Sequence, residues 1–257
     1  MTTLSSELAF LFRALKAPRL GEALPVLAER ARAEAWSYEQ FLAALLEREV
    51  SARQQHGGEA RIRGAGFPAR KTLEAFDFGY QASIQKAVVL HLGQLDFLAG
   101  KQNVIFLGPP GTGKTHLAIA LGIRACLAGH RVLFASATTW VTRLAAAQRE
   151  HRLDRYLAVL DRWPLLIIDE VGYLPFDAEA ASLFFQLVNA RYERGSLIVT
   201  SNKPFTAWGE IFGDAIVAAA MLDRLVHHAE ILSLKGDSYR LKDKRLGPTP
   251  EPRPTPA

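Results

Sequence analysis

Apolar residues recur along this chain with two different periods, and the change between them divides it. Over roughly the first 75 residues the period is helical. Leu4, Leu8, Leu11, Phe12 and Leu15 fall on one face before Pro18 ends the segment, and Leu20, Leu24 and Leu27 predict a second helix. Ser37 followed by Gln40 forms a capping box for a third, whose stripe is Tyr38, Phe41, Leu42, Leu45 and Leu46. Between residues 48 and 71 this period fades and Gly57, Gly58, Gly64 and Gly66 cluster. There Arg48, Arg53, Arg61, Arg63, Arg70 and Lys71 outnumber Glu49 and Glu59. A DNA-contacting arm and a solvated linker both fit that stretch.

From Thr72 onward, short apolar runs alternate with helical patterns. Residues 104–107, 132–135, 165–169, 197–200 and 231–234 predict five strands. Helices between successive strands require a parallel sheet covered on both faces. The expected fold is therefore α/β: a five-stranded parallel sheet flanked by helices, with a small N-terminal helical domain. Residues 1–71 form that helical domain with its basic linker, 72–245 the α/β domain, and 246–257 a disordered proline-rich tail.

The first strand runs into Gly108-Pro109-Pro110-Gly111-Thr112-Gly113-Lys114-Thr115-His116. This segment fits G-x-x-x-x-G-K-S/T at every fixed position, and Leu117, Ala118, Leu121 and Ala125 then recur at helical spacing until Gly129. Strand, glycine-rich loop and helix thus stand in the order of a phosphate-binding loop. A triphosphate needs many N–H donors near its oxygens, and the helix N-terminus adds partial positive charge. Lys114 is expected to reach the β- and γ-phosphates of ATP, and the Thr115 hydroxyl to ligate Mg2+. Residues 108–116 are the candidate nucleotide-binding set.

Asp169-Glu170 close the third strand at its carboxyl end, where open α/β sheets bind ligands. Asp169 is placed to hold Mg2+ through water, and Glu170 to polarise a water for attack on the γ-phosphate. Asn202 tips the fourth strand and can contact both the γ-phosphate and that water. Arg224, near the end of a helical pattern from 215 to 228, suits action on the nucleotide of a neighbouring subunit. Arg240 in G-D-S-Y-R is a second candidate cation. Two helical stripes between 138 and 164 carry Arg143, Arg149, His151, Arg152 and Arg155 on their polar faces, which suits contact with nucleic-acid phosphates.

Composition narrows the setting. Hydrophobic residues at 49% exclude a disordered chain, and 31 Lys+Arg against 26 Asp+Glu leave +5, which favours an anionic partner. One cysteine, Cys126, allows no internal disulfide and reads as small core filler in a reducing compartment. No apolar run reaches the length of a membrane span and no secretion signal is visible, so a cytoplasmic protein without membrane contact is expected.

G-P-P-G-T-G-K-T, L-L-I-I-D-E-V-G-Y, L-F-F-Q-L-V-N-A-R-Y-E-R-G, I-V-T-S-N-K-P-F and M-L-D-R-L together resemble the IstB-type transposition helper ATPases. These are AAA+ partners of insertion-sequence transposases, close to the DnaC-type helicase loaders. The resemblance spans roughly residues 38–245 and is most specific from Asp169 through Asn202. It implies a homo-oligomeric ATPase on double-stranded DNA that selects target DNA and delivers or stimulates its cognate transposase. It maps Lys114 and Thr115 onto Walker A, Asp169 and Glu170 onto Walker B and Asn202 onto sensor 1. Arg224 is similar to the arginine finger and Arg240 to sensor 2. About twenty residues after Leu234 are too few for a typical helical lid, so a vestigial lid is expected and Arg240's sensor role is weakened. A helicase loader shares every one of these chemical features. A metabolic phosphotransferase fits less well, since Asp169-Glu170 suits water activation, and Glu170 also argues against a purely DNA-binding module.

Overall fold

A computed structural model describes residues 2–242. The tail expected beyond residue 246 lies outside the described residues. Two compact units are present: one runs to Arg61 and takes in Leu127–Gly129, and the other holds Ile62–Cys126 and continues from His130.

The first unit is helical. It contains α1 (Thr2–Ala14), α2 (Pro18–Ala33) and most of α3 (Tyr38–Ala65). Pro18, which the pattern assigns to the end of the first helix, is also the first residue of the second, where its missing N–H costs nothing. The capping box forms as the sequence requires: Gln40 N–H donates to Ser37 Oγ at 3.2 Å, and Ser37 N–H to Gln40 Oε1 at 2.8 Å. The apolar stripes are buried less than their spacing predicts. Leu20, Leu27 and Leu45 are buried with Ala17, and Phe12, Leu24 and Phe41 pack against them. Leu11, Leu15, Tyr38, Leu42 and Leu46 are exposed, because three helices alone offer too little facing surface to cover whole stripes.

The fading period after Arg48 does not end the helix. Each interior glycine costs about 1 kcal/mol of helix propensity, but none breaks the backbone hydrogen-bond ladder. Glu49, buried, pairs with Arg53 one turn on at 2.7 Å and accepts the Arg19 N–H at 3.1 Å. Arg53 also donates to the Leu15 and Lys16 carbonyls, so this member of the basic set is committed to packing. Gly66, left-handed at φ 79°, follows Ala65 and stops the helix.

In the second unit α4 (Lys86–Leu92) and α5 (Asp96–Ala99) precede β1 (Asn103–Leu107). Then follow α6 (Lys114–Leu127), β2 (Val132–Ser136), α7 (Ala137–Arg149) and α8 (Leu153–Leu160). Next come β3 (Leu165–Val171), α9 (Ala178–Arg191) and β4 (Ser196–Ser201). The last elements are α10 (Trp208–Phe212), α11 (Ala215–Val226), β5 (Ala229–Ser233) and a 3-10 turn at Tyr239–Leu241. All pairings are parallel, in the order β2-β3-β4-β1-β5. One face of the sheet packs α4, α5 and α6, through Val104, Phe106, Ile167 and Ile198. The other packs α7 to α11, through Ile105, Leu166, Ile168 and Val199. Strands β1, β3 and β4 are thus apolar on both sides, as their unbroken apolar runs require.

Arg191 closes the base of this sheet. Only 1% exposed, it donates to the carbonyls of Leu160 (3.0 Å), Trp163 (2.8 Å) and Pro164 (3.3 Å), fixing the entry to β3. Burial pushes its guanidinium down to about 10, with Asp161 opposing the shift. Arg191→Leu is expected to destabilise the protein by about 2–4 kcal/mol, because it leaves buried carbonyls without donors. Urea denaturation checks this; a loss under ~1 kcal/mol contradicts it.

Candidate nucleotide-binding site

The site is built where β1, β3 and β4 end side by side. β4 lies between the other two and pairs Phe106 with Thr200 and Ile168 with Val199. That register points the Thr200 hydroxyl at the end of β3, where it donates to Asp169 Oδ1 at 2.6 Å. From the other side Thr115, second residue of α6, donates to the same oxygen at 2.9 Å. Thr200 Oγ1 also accepts the Glu170 N–H at 2.9 Å, holding Glu170 left-handed at φ 62° in a break of the β3–β4 ladder. Asp169 is therefore buried and ligated, while Glu170 beside it is exposed. Burial pushes the Asp169 carboxyl above its ordinary value, against the downward pull of Thr200, Thr115 and Lys114.

The loop itself is tightly held. Gly111 and Gly113 adopt φ 80° and 103°, the positive values expected of them. A Cβ on either would strike the protein's own chain: Ser238 Oγ at 2.0 Å from Gly111, and the Phe76 ring at 2.6 Å from Gly113. The glycines thus make room for packing. Lys114 Nζ donates back to the Gly108 (2.6 Å) and Pro109 (2.7 Å) carbonyls, and Thr112 Oγ1 to Pro109 at 2.8 Å. Burial lowers the Lys114 ammonium, an effect the Asp169 charge offsets and Arg240 reinforces.

Beside the loop opens a cleft of about 490 Å³. Gly111 to His116 line it together with Arg70, Lys71, Phe76 and Arg240, and Tyr80 and Tyr239, also in the lining, meet edge to face at 5.1 Å between ring centroids. Arg70 and Lys71, read from sequence as arm or linker, stand at this cleft. His116 sits at 2.8 Å from the Thr72 carbonyl through Nε2 and edge-on to Phe76, and burial lowers its pKa. Tyr239 N–H donates to the Gly111 carbonyl at 3.0 Å, so the 3-10 turn after β5 is strapped to the loop. Among the described residues this turn is all that follows β5 in place of a lid, and it carries Arg240 to the cleft.

Thr115 touches Asp169 directly, and Lys114 stands within electrostatic reach of Asp169, Glu170 and Arg240. Pro110 belongs to the loop, whose cleft-lining part begins at Gly111. Asn202 follows β4 directly, and its Oδ1 is buried without a hydrogen-bond partner, a polar atom left for a ligand. Arg224 is elsewhere. On α11, which Asp214 caps, it donates from Nε to Asn189 Oδ1 of α9 at 2.9 Å and stacks over Phe185. Sequence reasoning missed Thr200, hidden in an apolar strand, and the cleft-lining rings of Phe76 and Tyr80. The aromatic run F-D-F-G-Y over 76–80 was the available signal for those rings.

The residues fit a magnesium nucleotide: an acceptor in Asp169, a hydroxyl in Thr115, a buried ammonium, and aromatic rings for a base. The family model "IstB-like ATP binding protein" matches residues 11–247. A protein described as an IS21 insertion-sequence ATP-binding protein, from Pseudomonas aeruginosa, is 50% identical over 93% of this chain and 90% of its own. Among solved structures, the replication initiator DnaA bound to AMPPCP and single-stranded DNA superposes with a TM-score of 0.56. Its identity is 22%, over 69% of this chain and 54% of that one. The DnaC helicase loader gives 0.50 at 19% identity, over 68% and 99%. These two likenesses concern the fold alone. No helix among the described residues is long and apolar enough to cross a membrane.

Thr200→Val leaves the Glu170 N–H without its acceptor and Asp169 Oδ1 with Thr115 as its one remaining hydroxyl donor, and is expected to cost about 1–3 kcal/mol in a denaturation experiment. An unchanged midpoint contradicts the role given to Thr200. A magnesium nucleotide held by Asp169 and Lys114 would need the first ionised and the second protonated. Affinity should therefore fall on the acid side above the ordinary aspartate value of 3.8, and on the alkaline side below the ordinary lysine value of 10.5. For the empty protein the signs are opposite to those of binding. A raised Asp169 contributes stability at low pH that is lost as pH climbs through its folded pKa, and a lowered Lys114 makes the fold gain stability as it deprotonates. Calorimetric titration of nucleotide across pH, with thermal melts of the empty protein, checks both.

Proposed function

The chain belongs to the family of IstB-like ATP-binding proteins of insertion sequences, and from that premise we propose that it is an ATP-hydrolysing transposition helper. It gathers as identical copies on double-stranded DNA, without reading sequence, and assists its transposase in choosing target DNA. The observation that carries the hydrolytic reading is the pair at the end of β3. Asp169 is buried between two hydroxyls while Glu170, its N–H pinned by Thr200, is turned outward beside it. A protein that only bound nucleotide would need the first carboxylate and not the second.

In this reading Lys114 exchanges its loop carbonyls for phosphate oxygens, and the N–H groups of residues 111–116 surround the anion. Asp169 and Thr115 would hold Mg2+, which supplies charge neutralisation at the phosphates. Glu170 polarises the attacking water, and the unpaired Asn202 side chain orients it. The aromatic rings of Phe76, Tyr80 and Tyr239 take the base, and Arg240 lies against the phosphates from the strapped turn. Arg224 does not line its own chain's cleft, which supports action on the nucleotide of a neighbouring copy. Exposed Arg143, Arg149 and Arg155 on α7 and α8 are the candidate contacts to DNA phosphates, whereas Arg152 is paired with Glu150. The helicase-loader alternative rests on a shared fold, while the half-identical relative belongs to an insertion sequence.

Complementation in trans tests the assembly. Lys114→Ala and Arg224→Ala are each expected to lower DNA-stimulated ATP turnover at least 100-fold. Mixed together they should recover a substantial fraction, because an intact loop in one copy meets an intact arginine in the next. Two inactive variants that stay inactive when mixed, or an Arg224→Ala protein as active as wild type, would overturn the reading.

A further inference from the structure

At the end of the sheet opposite the nucleotide loop, three side chains with metal-binding atoms converge. Glu193 follows α9, and His227 and His228 form the turn from α11 into β5. One ligand atom from each lies within 4.8 Å of the others, and all three residues are exposed. We propose that Glu193, His227 and His228 form a binding site for a divalent transition metal of the zinc type.

The turns that carry these residues are fixed by the rest of the fold. Asn103, first residue of β1, spans both. Its backbone N–H donates to the His228 carbonyl at 2.7 Å, its Nδ2 to the Leu225 carbonyl at 2.9 Å, and its Oδ1 accepts the Leu197 N–H at 2.9 Å. The buried Arg191 carbonyl accepts the N–H groups of Arg194 (3.0 Å) and Gly195 (3.1 Å), so the turn bearing Glu193 is closed upon α9. Glu193 itself sits left-handed at φ 55°, a conformation costly for a side-chain-bearing residue. The Tyr192 hydroxyl lies 2.9 Å from His227 Nδ1 and holds that ring in place. His228 Nε2 stands 3.9 Å from Glu193 Oε1, too far for a hydrogen bond and close enough for both to reach one ion.

Two imidazoles and a carboxylate are a borderline-soft donor set. They suit Zn2+, Co2+ or Ni2+ with a position left open, and they do not suit Mg2+, which prefers oxygen ligands. A metal here would cross-link the ends of α9 and α11, the two helices that the Arg224–Asn189 hydrogen bond already joins one turn away. The site stands independently of the nucleotide reading, because it shares no residue with the cleft.

Titration of the nucleotide-free full-length protein with Zn2+ in a calorimeter tests this. One equivalent is expected to bind, to raise the melting temperature, and to resist a large excess of Mg2+. Glu193→Gln should weaken binding at least 10-fold, and the double variant His227→Ala, His228→Ala should abolish it. All three positions are exposed, so circular dichroism should show the variants folded. No uptake by the wild type, or equal uptake by the double histidine variant, would overturn the proposal.

Discussion

A carboxylate that is buried yet has to bear charge sets the terms for this structure. Isolated in the interior, Asp169 would stay protonated, since desolvating an ionised carboxyl is expensive. Two hydroxyl donors on one of its oxygens lower that cost, and each comes from a different strand connection. Thr115 is delivered by the loop after β1 and Thr200 by β4, so the pair exists only because β4 sits between β3 and β1. A slip of one residue in the β3–β4 register would turn Thr200 to the opposite face and undo the arrangement. Burial still raises the Asp169 carboxyl above its ordinary value, so the two hydroxyls offset only part of the cost of its charge.

The same economy governs the loop above it. Its carbonyls are occupied by its own lysine, its glycines are walled by Ser238 and Phe76, and Tyr239 ties it to the segment after β5. A loop already shaped before nucleotide arrives loses less conformational entropy on binding. The short turn that carries Tyr239 and Arg240 borders the cleft beside the loop. Arg224, by contrast, does not line this cleft. Asn189 and Phe185 hold the guanidinium at the surface of α9 and α11.

What the sequence revealed follows the range of the interactions involved. The phosphate loop, the Asp169-Glu170 pair and the Ser37–Gln40 cap depend on neighbours within a few residues, and they stand where pattern and spacing put them. The five strands were readable for the same reason, each as one apolar run, with ends differing by one or two residues. The course of α3 was not readable, because clustered glycines look like a linker although each only weakens a helix that Glu49 and Arg53 help to hold. The exposure of Leu11, Leu15 and Leu42 was hidden too, since helical spacing marks a face without saying whether anything covers it. Thr200, Arg191 and the Arg224–Asn189 contact rest on partners about thirty residues away, and no local pattern announces such pairings.

The central claim is that Asp169 and Thr115 are a prepared receptor for the cation that accompanies ATP. Electron paramagnetic resonance of Mn2+ in place of Mg2+, recorded with ATP on the purified protein, tests it most directly. Phosphorus hyperfine coupling from protein-bound Mn2+ is expected in the wild type, and its loss in Asp169→Asn under the same nucleotide concentration. Bound manganese with unchanged coupling in Asp169→Asn would contradict the account.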